Sequence, residues 1–384
     1  MKVSRLAAFA GMCLVLSACG GTANPPASSA PAAASSSAAA KPAASGSPGA
    51  SAAVASGTAS AKPTSAGAKP AASESAPAVP APRSGTITVA VVGTSPSQTP
   101  IWIATDNGLF DKNGAPVQLF TTTAPVAMAA LLKGDVQVAI DGGAMIGFDP
   151  PGTKLAFVAA QQNAFNQFAV YVKPSIKSLQ ELKGKTVAAA SPGSAATVAF
   201  EIILKSAGMD PKSDVKWVYL GTPAAQWTAL SNGQVDGGIN AWPYSLMARQ
   251  AGFNKLADGK EMKIAGASNT LGVQREWLKK DPKLTDGFLR AFTEATYLAN
   301  RDKAKFIGAI SKHAEVTDQG QLEDAWERFN GTFPEPPYIT KEAVQEAIND
   351  EPNPAVRERK PEDYIDNGPL DAIVASGFTK QLAK

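Results

Sequence analysis

The stretch Thr86-Ile-Thr-Val-Ala-Val-Val92 is an almost unbroken apolar run and reads as a buried strand. An uncharged loop, Gly93 to Thr99, follows it. Ile101, Trp102 and Ala104 then set a helical spacing that Asn107-Gly108 stops. Further along, Val117–Thr122 predicts a strand, Pro125–Lys133 a helix, Val136–Ile140 a strand and Leu155–Ala160 another. Strands alternating with helices imply a parallel sheet covered by helices on its faces.

The same order then recurs. Thr186–Ala190 predicts a strand, Ala195–Ser206 a helix ended at Gly208, Val215–Leu220 a strand and Ala224–Asn232 a helix. The clearest echo joins Gly134-Asp-Val-Gln-Val-Ala-Ile-Asp-Gly-Gly143 to Gly233-Gln-Val-Asp-Gly-Gly-Ile-Asn-Ala-Trp242, about 99 residues apart. In that register Asp141 falls on Asn240, each at the end of a strand. Two copies are too few for a solenoid, so the expectation is two lobes, each on a βαβαβ unit. Phe168–Lys173 is expected to cross out of the first lobe and Asn269–Gln274 to return to it. Beyond that the chain is helical, with Leu284, Phe288, Phe292 and Ala295 at helical spacing. His313, the single histidine, is expected at a surface near a helix end.

Composition divides the chain. Lys2, Arg5 and the apolar run Leu6–Leu16 form an export signal, far short of the roughly 20 residues of a membrane span. The run ends in Leu16-Ser-Ala-Cys-Gly20, which resembles a bacterial lipobox with Cys19 as the lipidated residue. Cys13 would leave with the signal, so no thiol remains for chemistry or a disulfide. Gly20–Ser84 is Ala/Ser/Pro-rich and nearly free of large apolar residues. It cannot offset the entropy of ordering and is expected to be a disordered tether. The expected division is thus signal 1–18, lipidated Cys and tether 19–84, first lobe 85–170 with 270–384 returning to it, and second lobe 171–269. The net charge of +3 says little, because four Lys/Arg lie in the tether, and no basic patch with interleaved aromatics points to nucleic acid.

In open parallel sheets, ligands sit outside the carboxyl ends of the strands. The loops there carry hydroxyls, amides, glycines and aromatics, with Asp141 and Asp149 as their only charges. Ser95-Pro-Ser97 and Ser191-Pro-Gly-Ser194 stand at helix starts, where they serve either as caps or as anion-binding turns. Trp242 and Tyr244 either wall a ligand or pack in the core. No Ser/His pair, reactive Cys, metal-ligand motif or P-loop occurs, so neither catalysis, metal nor cofactor is expected.

The order of features from residue 86 onward resembles the solute-binding proteins of ABC importers, of the nitrate/sulfonate/taurine and thiamine-precursor type. The resemblance rests on Ile101-Trp-Ile-Ala-Thr-Asp-Asn-Gly-Leu-Phe110, Leu131-Leu-Lys-Gly-Asp-Val136, Leu179–Val187, Ala229–Gly237 and Trp277-Leu-Lys-Lys-Asp-Pro282. It implies a two-lobed α/β type II periplasmic-binding-protein fold, each lobe a mostly parallel sheet flanked by helices, joined by two crossing segments. It implies a monomer that closes over a small solute and delivers it to a membrane permease and its ATPase. By position, the ligand-binding residues it implies are Ser95, Ser97, Asp141, Gly142, Ser191, Gly193, Ser194, Thr197, Thr222, Asn240, Trp242 and Tyr244. Gln162, Asn163 and Phe165, before the first crossing, join them. Where the family often has Trp-Glu-Pro-Tyr, this chain has Ala241-Trp-Pro-Tyr244, which removes a carboxylate. Relatives that synthesise the thiamine pyrimidine use histidine and a cysteine cluster absent here. The dipole-rich loops suggest a sulfonate, carboxylate or zwitterion, whereas Asp141 suggests an amine or pyrimidine nitrogen. A ligand-sensing subunit of a membrane receptor is the alternative role.

Overall fold

A computed structural model describes residues 79–81 and 83–384; the expected signal, Cys19 and nearly all of the tether lie outside the described residues. Among the described residues, ten strands form two five-stranded sheets. They are β1 (Ile87–Val92), β2 (Val117–Thr122), β3 (Val138–Asp141), β4 (Leu155–Ala164), β5 (Phe168–Val172), β6 (Thr186–Ala189), β7 (Lys216–Tyr219), β8 (Gly237–Ala241), β9 (Asn254–Asp258) and β10 (Ala265–Gln274). The first sheet has the order β2-β1-β3-β10-β4 and the second β7-β6-β8-β5-β9.

The repeat is visible in both orders. β1 pairs in parallel with β2 and β3, and β6 pairs in parallel with β7 and β8. The intervening helices α1 (Thr99–Asp106) and α2 (Ala124–Lys133) in the first lobe correspond to α3 (Ala195–Ser206) and α4 (Pro223–Ser231) in the second. Even the strand entrances match: Gln137 accepts from the Thr88 N–H at 2.9 Å, and Asp236 accepts from the Thr186 N–H at 3.1 Å. Asp236 is also bonded to Lys173 at 2.8 Å, which holds its carboxyl below the usual range. Its role there is structural.

Each lobe then adds one antiparallel strand, β10 in the first and β5 in the second. Beyond it lies an edge strand, β4 or β9, that runs with the parallel set, so each sheet is mixed but mostly parallel. Phe168–Val172 and Asn269–Gln274, expected as crossings, are strands inside the sheets. The chain changes sheet between β4 and β5, around Phe165, and returns between β9 and β10. Both passages fall a few residues earlier than the pattern suggested, because apolar crossing residues and apolar strand residues look alike in sequence.

Alternation assigns the faces. Val89, Val91, Val138 and Ile140 share one buried cluster with the 20-residue helix Pro282–Arg301, here α5. Ala90, Ala139 and Ala160 belong to a second cluster on the opposite face, with α2 and the helix Lys341–Asp350. The second lobe repeats this with Val170, Val187 and Ile239 on one face and Ala169, Tyr171 and Ala188 on the other. Asp281 caps α5 by accepting from the Leu284 N–H at 3.2 Å, and Phe288, Phe292 and Ala295 form its buried stripe. His313 closes the helix Lys303–His313; its ring stacks on Trp102 at 5.2 Å and its Nε2 lies 3.1 Å from Asp106.

The lobes also meet along the helix Gln319–Phe329 of the first lobe. Asp324 pairs with Arg249 at 2.5 Å and Arg328 with Asp258 at 3.0 Å. Lys260 donates to the Glu327 and Arg328 carbonyls at 3.1 and 2.7 Å, placing a cation at the helix's negative end. A cavity of ≈ 480 Å³ lies among these groups; its walls carry ion pairs, and among the described residues the buried Nε and Nη2 of Arg328 have no hydrogen-bond partner.

Candidate functional site

A second cavity, ≈ 290 Å³, opens at the carboxyl ends of the parallel strands and has one wall from each lobe. From the first lobe come Asp141, at the end of β3, with Gly142 and Gly143 after it. From the second come Gly193, Ser194 and Val198, the loop and first turn of α3. Phe165, in the first passage between sheets, closes the back. Of the residues expected from sequence, the structure thus gathers Asp141, Gly142, Phe165, Gly193 and Ser194 around one space.

The glycines allow the close fit. A Cβ on Gly143 would lie 2.5 Å from the Ala347 Cβ, so this loop packs directly on the helix Lys341–Asp350. That contact brings Asp350 and Glu351, at the helix's C-terminal end, to the same cavity. Sequence reasoning missed both. Asn349-Asp-Glu-Pro352 reads as a polar helix end, and nothing local says which strand loop it will meet.

The other expected residues lie apart from this cavity. Ser97 is buried in a network in which its Oγ accepts from Asn269 at 2.8 Å. Gln98 donates to Asn269 at 3.2 Å, and Gln161 to Gln98 at 2.5 Å. Ser95 caps the following turn. Asn163 donates to the Tyr338 carbonyl and accepts from the Thr340 N–H, at 2.7 and 3.0 Å, fastening a first-lobe loop. Thr222 caps α4 through the Ala225 N–H, Thr197 is buried against Ser194, and Ser191 is exposed. Gln162 donates to Thr332 at 3.1 Å. Tyr244 opens the helix Tyr244–Gln250, half-buried. Asp149 accepts from the Lys154 and Leu155 N–H groups and serves its own turn.

Asn240 and Trp242 form a buried counterpart to Asp141. Asn240 is 2% exposed and donates to the Gly238 carbonyl, but among the described residues its Oδ1 meets no donor. Trp242 is 7% exposed and belongs to the apolar cluster of the first lobe, although its strand belongs to the second. Among the described residues its Nε1 likewise has no acceptor.

Electrostatics mark the cavity as acidic. Burial pushes Asp141 up to about 6, against a single hydrogen bond from the Gly142 N–H at 2.7 Å. Asp350 is also raised to about 6, by burial first and then by Glu346 and Glu201, with Lys205 and Arg357 partly offsetting them. A carboxyl raised in the folded state binds protons that the unfolded chain does not between the ordinary aspartate value and about 6. These two groups should therefore make the protein more stable as pH falls from about 7 to about 5. Asp141→Asn should raise the melting temperature at neutral pH and flatten this rise. Calorimetry at the two pH values checks it, and a variant melting below the parent at neutral pH would contradict it.

Residues 81–312, more than half of the chain, match the model of the NMT1-like family. The chain belongs to the NMT1-like family. Its fold is also that of the periplasmic aliphatic sulphonate binding protein SsuA from Escherichia coli, at 20% identity over 72% of this chain and 92% of that one, TM-score 0.59. The nitrate-binding protein NrtA from Synechocystis PCC 6803 shares it at 14% identity, 79% and 92% coverage and TM-score 0.59. So does the ligand binding component of an ABC-type import system from Staphylococcus aureus, at 14% identity, 74% and 98% coverage and TM-score 0.60. No curated protein matches the sequence. The NMT1-like chain thus has the two-lobed type II architecture expected of the nitrate/sulfonate/taurine binding-protein family.

Proposed function

We propose that this protein is the solute-capturing component of an ABC importer, held outside the cytoplasm by a lipid on Cys19. It captures a small organic solute by lobe closure, without altering it chemically, and hands it to a membrane permease driven by an ATPase. The observation that carries this reading is the cavity at the carboxyl ends of parallel strands in a duplicated fold, with one wall from each lobe. A solute touching both walls binds the closed form better than the open one and so shifts the population toward it. Membership of the NMT1-like family and likeness to periplasmic binding proteins support the role. The Leu16–Gly20 motif and the tether support the anchor.

The test is a panel of sulfonates, carboxylates, amines and pyrimidines, read by melting temperature and by radius of gyration in small-angle scattering. One class should raise the first, reduce the second and be recovered unchanged. Compaction by none of the classes, or turnover of the compound that binds, would overturn the reading. Cys19→Ala should move the chain from the membrane fraction to the soluble one.

A further inference from the structure

We propose that the solute carries a protonated amine, which this cavity holds with Asp141 and Asp350 among its walls. This rests on the reading of the cavity as the capture site and adds the charge of what is captured. The cavity has three charged lining residues, Asp141, Asp350 and Glu351, and no Lys or Arg among its walls. Sulfonate, nitrate and carboxylate are anions, and bringing one here would set like charges together in a partly desolvated space.

The carboxylates are also under-used. The Asp141 Oδ1 takes the Gly142 N–H, and among the described residues no protein donor reaches its Oδ2. Asp350 accepts no hydrogen bond from any described group; Lys205 and Arg357 act on it only through their field. Glu351 is differently placed: its Oε1 accepts from the Asn353 N–H at 3.3 Å, and its carboxylate abuts Gly147, where an added Cβ would lie 2.7 Å from Oε2. An ammonium group offers three N–H donors. It can donate to a free aspartate oxygen on this wall, and such a contact is a charge-assisted hydrogen bond.

The opposite wall does not restore a preference for anions. The start of α3 has a positive dipole end, but Ser194 already caps it by accepting from the Thr197 N–H at 3.4 Å. Its half-charge faces three carboxylates. Phe165 and Val198 supply an apolar surface beside it, which suits a short alkyl or aryl body attached to the amine. The cavity lies at the small end of the range for ligand sites, about 300–1,000 Å³, so the body is small.

A matched four-carbon series separates charge from shape: butylamine, the corresponding diamine, butyramide, butyrate and butanesulfonate, each titrated calorimetrically into the full chain at neutral pH and low salt. Butylamine and the diamine should bind, the diamine more tightly, and both should weaken as salt is added. Asp141→Asn and Asp350→Asn should each cost at least about tenfold in amine affinity, with the folded state of each confirmed by its melt. Tighter binding of butyrate or butanesulfonate would overturn the amine assignment and leave solute capture standing. Amine affinity unchanged in both variants, or no binding by either amine, would also overturn it. Solute capture itself is judged separately, by compaction on the wider panel.

Discussion

Replacing Trp242 with alanine should open the molecule. The indole leaves a strand of the second lobe and is buried in the apolar cluster of the first, so it fastens the lobes together. Trp→Ala truncations in cores cost about 3–5 kcal/mol, and for a domain of this size the melting temperature should drop by roughly 6 °C or more. Because the lost packing lies between lobes, part of the effect should appear as a larger radius of gyration and as weaker binding of whichever panel compound binds. Trp242→Phe separates two roles. It keeps most of the apolar volume and removes an N–H that has no acceptor among the described residues, so stability should change little. A loss of affinity in that variant would then mean that the solute itself accepts from the indole. An alanine variant with the parental melt and radius would remove Trp242 from any part in closure.

Gly259→Ala should have the second largest effect, through the two passages between the sheets. A Cβ at Gly259 would lie 2.2 Å from the carbonyl oxygen of Phe165, a backbone atom that cannot move without shifting the first passage. Gly266 faces the same residue: its added Cβ would lie 2.4 Å from the Phe165 ring. The passages are thus packed on each other through Phe165, which also backs the cavity. Overpacking of this kind costs about 1–3 kcal/mol. Binding should fall along with the melting temperature, since Asp141 and Ser194 are carried by the two bodies that these passages join. Gly308→Ala is the control. Gly308 lies within the helix Lys303–His313, nothing stands within 4 Å of its added Cβ, and the substitution should stabilise by about 0.5–1 kcal/mol. Equal melts for Gly259→Ala and the parent would show that the passages tolerate separation.

The parallel halves of both sheets were legible because the signal was redundant. Apolar runs, helix stops such as Gly134 and Gly208, and the shared register of Asp141 and Asn240 all gave one answer. The later strands β5, β9 and β10 were not. β5 and β10 join their sheets through partners far along the chain, and β9, with its ladder to β5, has only the short pattern Asn254-Lys-Leu-Ala-Asp258 to announce it. At the site, Asp141, Gly142 and Ser194 followed from their places after strands. Asp350 and Glu351 did not, because a helix near the C-terminus reaches the cavity only through the Gly143–Ala347 contact. The sequence reading therefore set the dipole-rich loops against Asp141 alone, without these two carboxylates. Charge at a cleft is a sum over all its walls, and one wall was missing. Ser95 and Thr222 cap helical turns here, and the sequence left both roles open because caps and ligand-binding groups use the same side chains.

The strand order carries a consequence for how the chain is made. β10 pairs on one side with β3 and on the other with β4, so it is the strand that joins the two halves of the first sheet. It is also the first strand after the whole of the second lobe, whose own sheet ends with β9 at Asp258. As the chain emerges from its N-terminus, β1 to β4 must wait with an unfilled gap while the second lobe acquires all five of its strands. The lobe begun second is therefore the one completed first, and the earlier strands stay open-edged until residue 274 has appeared.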